Sequence, residues 1–242
     1  MDGGKELILS ERLLAIAQWI PPGSRVADIG TDHGYLPIWL LQHGCAAFIA
    51  ACDVREGPLE HARRSAAQYG LQEKLSFRLG SGLSCVAPDE IDTIVIAGMG
   101  GETILSILEA SPWTNDARYT LLLQPMTKAE VLRPWLSEQG YVFLKERLVL
   151  ENRTYFPIMA LRGGGTGQPL SIGQAWGGVA LQDDPLQGNA LDALLHLCTY
   201  ALNGLERSTV PKNLERAEQQ RAILVQLRRM KEEWLHANGK RT

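Results

Sequence analysis

Residues 26–35 read Val26-Ala27-Asp28-Ile29-Gly30-Thr31-Asp32-His33-Gly34-Tyr35, and they decide the fold that we predict. An apolar run that enters a turn with two glycines and then a helical stretch indicates a β-strand leading into an α-helix. In open α/β sheets a nucleoside cofactor binds at such a turn. Asp53 ends the apolar run 46–52, where a second parallel strand would end, and a carboxylate there can accept hydrogen bonds from ribose hydroxyls.

The turn lacks the glycine pattern of dinucleotide-binding proteins, because its glycines are Gly30 and Gly34 and two acids, Asp28 and Asp32, stand beside them. A pyrophosphate is repelled by nearby carboxylates, so these acids argue against NAD or ATP. They suit a cofactor with an ammonium and a sulfonium group, and S-adenosylmethionine is such a molecule. The pattern Asp28-x-Gly30-x-Asp32-x-Gly34 resembles motif I of the class I methyltransferases, with aspartate in place of the middle glycine.

The composition is that of an ordinary globular protein, with 45% hydrophobic and 21% charged residues in 242. No apolar run approaches the roughly 20 residues that span a bilayer, and the N-terminal residues lack the apolar segment of a signal peptide. The four cysteines form no C-x-x-C pair, which indicates free thiols in a reducing compartment and disfavours a zinc site. We therefore predict a cytoplasmic protein that binds neither a membrane nor a metal.

Strand and helix patterns alternate as far as Glu138. The predicted strands are 25–29, 48–52, 75–79, 93–97 and 119–123. This alternation predicts right-handed crossovers and a parallel sheet with both faces covered. After Gly140, two β-rich runs at 141–150 and 153–161 predict a hairpin. The sequence thus predicts an α/β, Rossmann-like class I methyltransferase fold, with a seven-stranded, mostly parallel sheet that ends in an antiparallel hairpin.

The chain beyond residue 163 predicts a second unit. Residues 164–189 are rich in Gly, Gln and Asp and predict a connector, with one short strand near 178–181. Apolar residues spaced by three and four then predict two helices of a coiled-coil-like hairpin in 190–242. Pairing of the longer helix with a second chain is the alternative, so monomer and homodimer both remain open. The predicted division is a cofactor-binding methyltransferase domain at 1–163, the connector, and the helical hairpin.

The carboxyl ends of the predicted parallel strands supply the candidate cofactor-binding residues. Gly30 and Gly34 let the backbone approach the methionine part of the cofactor, Asp28 or Asp32 can accept from its ammonium, and Asp53 can accept from its ribose. The third strand end would lie along the adenine edge. The predicted cofactor-binding set is Asp28, Gly30, Asp32, Gly34, Tyr35, Asp53, Val54, Gly80, Ser81, Gly82, Ala97, Gly98 and Met99.

Four motifs make the resemblance narrower: Asp28-Ile29-Gly30-Thr31-Asp32-His33-Gly34-Tyr35-Leu36-Pro37, Ala97-Gly98-Met99-Gly100-Gly101, Leu123-Gln124-Pro125 and Leu132-Arg133-x-Trp135-Leu136-x-x-x-Gly140-Tyr141. With them the chain resembles the bacterial tRNA (adenine(22)-N1)-methyltransferase family over residues 7 to 162. The resemblance implies transfer of a methyl group from S-adenosylmethionine to N1 of one adenine in the D-arm region of tRNA. Two residues depart from the family pattern, Ser81 where Asn or Asp is usual and Met126 where Asn is usual.

Adenine N1 carries an unprotonated lone pair at neutral pH, so its attack on a sulfonium methyl needs alignment more than a general base. Because N1 lies on the Watson–Crick edge, a paired adenine must first be extruded. Side chains that can stack on such a base or hydrogen-bond to it are the predicted catalytic residues, Asp32, His33 and Tyr155.

Charge is distributed unevenly along the chain. Nine Lys or Arg and five Asp or Glu lie from Leu205 onward, whereas 15 basic and 22 acidic residues precede it. A polyanionic partner would meet the C-terminal part more readily, and we predict that the hairpin binds tRNA phosphates. The basic residues concerned are Arg207, Lys212, Arg216, Arg221, Arg228, Arg229 and Lys231.

Three other functions remain open at this point. The chain could methylate a small molecule or a protein, with the helical hairpin as a dimer seam. It could instead bind S-adenosylmethionine and RNA without turnover, which Ser81 and Met126 make more credible. A nicotinamide-dependent oxidoreductase is disfavoured by the carboxylates of the first turn.

Overall fold

The computed structural model describes residues 6–207 and 210–239. Residues 1–5 of the predicted methyltransferase domain, and 208–209 and 240–242 of the predicted hairpin, lie outside the described residues. The strands are β1 (Ser24–Ile29), β2 (Ala46–Asp53), β3 (Ser76–Leu79), β4 (Thr93–Gly100), β5 (Thr120–Thr127), β6 (Val142–Glu151) and β7 (Thr154–Arg162). The helices are α1 (Glu11–Ala17), α2 (Tyr35–Gln42), α3 (Glu56–Gln68), α4 (Gly101–Glu109), α5 (Ala129–Glu138), α6 (Ile172–Gly177), α7 (Gln187–Glu206) and α8 (Lys212–Asn238).

The strands form one seven-stranded sheet in the order β3-β2-β1-β4-β5-β7-β6. Strands β1 to β5 run parallel, and β7 lies antiparallel between β5 and β6. The strand order reverses between β1 and β4, and such a switch point opens a crevice at the carboxyl ends of the strands. This topology confirms the predicted Rossmann-like methyltransferase fold.

Two apolar layers cover the sheet. Because side chains alternate along a strand, Ile94 and Ile96 of β4 join one buried cluster and Val95 joins the other. The first cluster includes Ile104 of α4, and the second includes Ile38 of α2. A central strand that is apolar on both faces is what a parallel sheet between two helical layers requires.

The β6–β7 hairpin is confirmed, and its turn consists of Asn152 and Arg153. Both residues have positive φ angles, 50° and 63°. Two-residue turns with positive φ match the twist of antiparallel strands, so the connection is tight and Glu151 pairs with Thr154.

The predicted connector contains a helix, and the short strand predicted near 178–181 is wrong. Helix α6 starts with a capping box in which the Ser171 hydroxyl accepts from the Gln174 amide and the Gln174 side chain accepts from the Ser171 amide. After it, the amides of Val179 and Ala180 donate to Oε2 of Glu146 at 2.5 and 2.9 Å. The donors that a strand would give to a neighbouring strand are therefore taken up by one carboxylate.

Helices α7 and α8 pack against each other as an antiparallel pair, as predicted. Lys231 of α8 contacts Asp192 near the start of α7 at 2.7 Å, and Arg221 contacts Glu206 at the end of α7 at 2.6 Å. The buried seam consists of Leu191, Cys198, Leu224 and Leu227. Helix α7 begins before residue 190, and the three-part division of the chain stays a prediction.

No helix within residues 6–207 and 210–239 is both long enough and apolar enough to cross a bilayer.

Candidate active site

Two adjoining cavities lie at the carboxyl ends of the parallel strands. The Asp53 cavity, of about 440 Å³, is lined by the loops that follow β1, β2 and β3, by the end of β4 and by α4. The Asp28 cavity, of about 260 Å³, lies between α1 and the loop after β1. The residues Gly30, Asp32, Ala97 and Gly98 line both. The shared lining gives a continuous space suited to an elongated ligand with a nucleoside end and a polar end.

The loop after β1 owes its shape to backbone in the left-handed region. Gly30, Asp32 and Gly34 have φ angles of 78°, 50° and 69°. A side chain on Gly30 would collide with the terminal methyl group of Met99. The loop is held because the amides of Gly30 and Thr31 both donate to the Cys52 carbonyl, at 2.8 and 2.9 Å. Glycine therefore brings the ends of β1 and β4 together without filling the space beside them.

Asp53 ends β2 and presents its carboxylate to the first cavity. Its Oδ1 accepts from the Arg55 amide at 3.0 Å, which orients the group. Its Oδ2 accepts no hydrogen bond from the part of the chain that the structure describes. A nearly buried carboxylate with one open oxygen can accept from ribose hydroxyls, as the sequence predicts.

Asp28 lies on β1 and is 5% exposed. Burial raises the pKa of Asp28 to about 6; the Thr31 hydroxyl opposes this rise, and the charge of Asp53 adds to it. No Lys, Arg or His within the described residues forms an ion pair with Asp28. A buried carboxyl group without a cationic partner, in a cavity wall, is a site for a positively charged ligand group.

Gln124 of β5 links the two sides of the Asp28 cavity. Its Oε1 accepts from the Gly98 amide at 3.2 Å and from Nη1 of Arg12 at 3.0 Å. Arg12 also donates from Nε to Glu151 at 2.5 Å. These bonds connect α1 to the irregular part of β4 that contains Gly98. Arg12 is not marked by any sequence motif, because its place depends on how α1 packs against β6 and β7.

Exposed rings line the rim of the Asp28 cavity. The ring of His33 stacks on Tyr35 with centroids 5.3 Å apart and on His61 at 5.4 Å. Nε2 of His33 lies 3.7 Å from Oδ2 of Asp32. Flat, solvent-accessible rings of this kind are the groups on which proteins stack unpaired RNA bases.

The predicted site residues do not all meet in one place. Asp32 and His33 lie together, but Tyr155 lines neither cavity and belongs to a neighbouring cleft with Met126. Gly34 also lines neither cavity; it is the N-cap of α2, and a Cβ on it would lie 3.1 Å from the Cβ of Ala62. The remaining predicted cofactor-binding residues line one cavity or both: Asp28, Gly30, Asp32, Tyr35, Asp53, Val54, Gly80, Ser81, Gly82, Ala97, Gly98 and Met99.

The basic residues of the hairpin divide into two groups. Arg221, Arg229 and Lys231 are paired with Glu206, Glu233 and Asp192. The other predicted phosphate-binding residues have no ion-pair partner within the described chain and are exposed: Arg207, Lys212, Arg216 and Arg228.

Within the described residues, no group of three or more His, Cys, Asp or Glu is arranged to hold a metal ion.

Comparison with known proteins identifies the family. The family model described as "Methyltransferase domain" matches residues 9–159. The chain is 36% identical over 159 residues to the tRNA (adenine(22)-N(1))-methyltransferase of Bacillus subtilis, a match that covers 66% of this chain and 67% of the relative.

Solved structures are similar over nearly the whole chain. The M1A22 tRNA methyltransferase TrmK of B. subtilis has a TM-score of 0.84 and 27% identity, over 93% of this chain and 100% of that chain. The M. capricolum TrmK in complex with S-adenosyl-homocysteine has a TM-score of 0.78 and 26% identity, over 93% and 98%. With a methyltransferase model that covers more than half of its residues and a relative that is 36% identical, the chain belongs to the methyltransferases and, among them, to the bacterial tRNA (adenine(22)-N1)-methyltransferase family.

Proposed function

We propose that this protein transfers a methyl group from S-adenosylmethionine to N1 of an adenine in tRNA, at position 22, in the cytoplasm. The observation that carries the proposal is the pair of adjoining cavities at the switch point of the sheet, one with Asp53 and one with Asp28 in its wall. The relative from B. subtilis carries this activity in its name, and the TrmK structure from M. capricolum holds the demethylated cofactor product.

The residues present fit S-adenosylmethionine. Asp53 would accept from the ribose hydroxyls, and the glycines around Ser81 leave a flat edge for the adenine. Asp28 and Asp32 would face the positively charged methionine end of the cofactor. When bound, S-adenosylmethionine supplies an electrophilic methyl group on a cationic sulfur.

The contribution of the protein is alignment. Adenine N1 has its own lone pair, so no side chain needs to remove a proton before the methyl group is transferred. The small residues Ala97 and Gly98 leave room at the junction of the two cavities, and Gln124 holds the Gly98 amide in place. His33 and Tyr35 offer stacking surfaces at the rim for an adenine that has left its helix.

Binding of the whole tRNA requires contacts beyond this site. We assign phosphate contacts to the exposed basic residues of the hairpin that lack an ion-pair partner in the described chain, Arg207, Lys212, Arg216 and Arg228. A local basic surface suits a protein whose formal net charge is −3, because attraction of a polyanion then depends on where the cations lie.

The test is mass spectrometry of unmodified tRNA after incubation with the protein and isotopically labelled S-adenosylmethionine. We expect one labelled 1-methyladenosine at position 22, and none in a tRNA with guanosine at that position. Asp53→Ala provides the enzyme control and should abolish incorporation. Label in the protein or small-molecule fraction of a nucleic-acid-free lysate would favour another methyltransferase, and cofactor binding without any turnover would favour a non-catalytic RNA-binding protein.

A further inference from the structure

A third cavity, larger than the other two, lies between the sheet and the helical hairpin. This interdomain cleft has a volume of about 680 Å³. Its three walls are the end of β5 with the start of α5, the β6–β7 hairpin, and helices α6 and α7. None of the functions assigned above uses it.

The cleft lies next to the candidate active site along β5. Gln124 lines the Asp28 cavity, and the next two residues of β5, Pro125 and Met126, line the cleft. Nη1 of Arg12, which lines the Asp28 cavity, lies 3.0 Å from the Met126 sulfur. A ligand long enough to extend from the Asp28 cavity past the Met126 side chain would therefore reach the cleft.

The lining combines apolar surface, one aromatic ring and cations. Tyr155 packs beside Leu148, and its hydroxyl makes no hydrogen bond to the described residues. Lys128 and Arg153 stand at the rim. Arg153 is exposed and has no ion-pair partner in the described chain, and Lys128 is 3.9 Å from Glu130. Leu197 of α7 adds an apolar side chain that is 61% exposed.

Buried contacts hold the walls in place. Arg133 lies at the floor, where Glu146 neutralises its charge, and its Nη1 donates to the carbonyl of Ala175 in α6 at 3.0 Å. The β6–β7 wall and the α6 wall are thus connected through one side chain. A cleft with fixed walls costs little conformational entropy to fill.

From this arrangement we infer that the interdomain cleft binds the nucleotides next to the target adenosine, with a base against Tyr155 and phosphates at Lys128 and Arg153. The inference rests on the proposed function. Single-stranded RNA offers flat apolar bases beside charged phosphates, and proteins bind it with aromatic rings flanked by Lys and Arg. The neighbours of an extruded adenosine are the part of the substrate that reaches past Met126.

The experiment measures tRNA affinity by fluorescence anisotropy in the presence of S-adenosylhomocysteine, and cofactor affinity by calorimetry, for two cleft variants. Arg153→Glu reverses a rim charge, and Tyr155→Leu removes the ring but keeps an apolar side chain. The matched control for Arg153→Glu is Arg118→Glu; Arg118 precedes the amino end of β5, whereas the cleft lies at its carboxyl end. The matched control for Tyr155→Leu is Tyr69→Leu, at the end of α3. We expect each cleft variant to bind tRNA at least about tenfold more weakly, with cofactor affinity within about twofold of wild type.

Wild-type tRNA affinity in both cleft variants would overturn the inference while leaving tRNA methylation by the wild-type protein intact. Dissociation of a dimer by Arg153→Glu, with tRNA affinity unchanged, would also overturn it and assign the cleft to a second copy of the chain. Failure of the wild-type protein to methylate tRNA would instead be a failure of the proposed function. If Tyr155→Leu does not fold, the Arg153→Glu and Arg118→Glu comparison decides, because both residues are exposed.

Discussion

Nε of Arg133 lies 2.8 Å from Oε1 of Glu146, and the two side chains are 3% and 0% exposed. Arg133 belongs to α5 and Glu146 to β6, and both also bind the segment that leads to the hairpin. Arg133 donates to the carbonyl of Ala175, and Glu146 accepts from the amides of Val179 and Ala180. This ion pair is therefore one of the places where the sheet and the C-terminal helices are joined.

Removal of one partner of this pair should be costly. In Arg133→Met, Glu146 keeps its backbone donors but loses its counter-charge, and we expect a loss of about 3–5 kcal/mol in the free energy of unfolding. The measurement is denaturant unfolding followed by circular dichroism. The control is Arg118→Met, an exposed arginine near Asp116, which should change the free energy by less than about 0.5 kcal/mol. Equal stabilities of the two variants would contradict this role of the pair.

Asp28 makes the unliganded protein less stable as the pH rises. The pKa of this carboxyl group is raised to about 6 by burial, whereas its ordinary value is 3.8. Between these values the folded state holds a proton that the unfolded state has released, so stability falls with increasing pH through about 6. We expect the free energy of unfolding of the wild type, relative to Asp28→Asn, to fall by on the order of 1 kcal/mol between pH 5 and pH 8. A constant difference across this range, measured by urea titration, would contradict the raised pKa.

The same carboxyl group should make cofactor binding depend on pH in the opposite direction. A cationic methionine end interacts best with ionised Asp28, and only about a tenth of this group is ionised at pH 5 when its pKa is about 6. The affinity for S-adenosylmethionine should therefore fall about tenfold from pH 7 to pH 5 in the wild type, and much less in Asp28→Asn. Calorimetry at both pH values measures it, and equal pH dependence in the two proteins would remove Asp28 from the cofactor site.

Substitution of Gly98, compared with substitution of Gly70, distinguishes the effect of backbone strain from the effect of filling the active-site space. Gly98 and Gly70 both have positive φ angles, 76° and 67°, and a Cβ on either would meet no atom within 4 Å. Alanine at either position should cost about 1 kcal/mol of stability, because the left-handed backbone disfavours a side chain. Of these two glycines, only Gly98 lines the Asp53 and Asp28 cavities. We expect Gly98→Ala to lower methyl transfer by at least about a hundredfold, roughly 3 kcal/mol, and Gly70→Ala to leave it unchanged. Equal activities at saturating substrate would show that this space is not used.

Some features followed directly from local sequence. The acids and glycines of residues 28–34 predicted the first turn, and the apolar run before Asp53 predicted the strand that carries it. These features depend on backbone geometry within a few residues, so a pattern of residue types is sufficient to predict them.

Other features depended on contacts between distant residues. The segment after α6 forms no strand, because the Glu146 carboxylate, more than 30 residues earlier in the chain, binds the amides of Val179 and Ala180. Arg12 reaches the active site only through α1, and Tyr155 points into the interdomain cleft because of the register of β6 and β7. Sequence patterns give the period of an element but not the partner of an individual side chain.

The hairpin offers a charge-reversal test of tRNA binding. Arg216 and Arg228 are exposed and have no ion-pair partner in the described chain, whereas Arg229 binds Glu233 at 2.8 Å. Arg216→Glu and Arg228→Glu should each weaken tRNA binding and reduce the slope of log affinity against log salt by about one, because each removes a phosphate contact. Arg64→Glu on α3 is the control, since Arg64 is 65% exposed and lies outside the hairpin. Cofactor affinity should not change in any of the three. Filter binding at several salt concentrations measures the slopes, and hairpin variants with the slope and affinity of Arg64→Glu would place the phosphate contacts elsewhere on the protein.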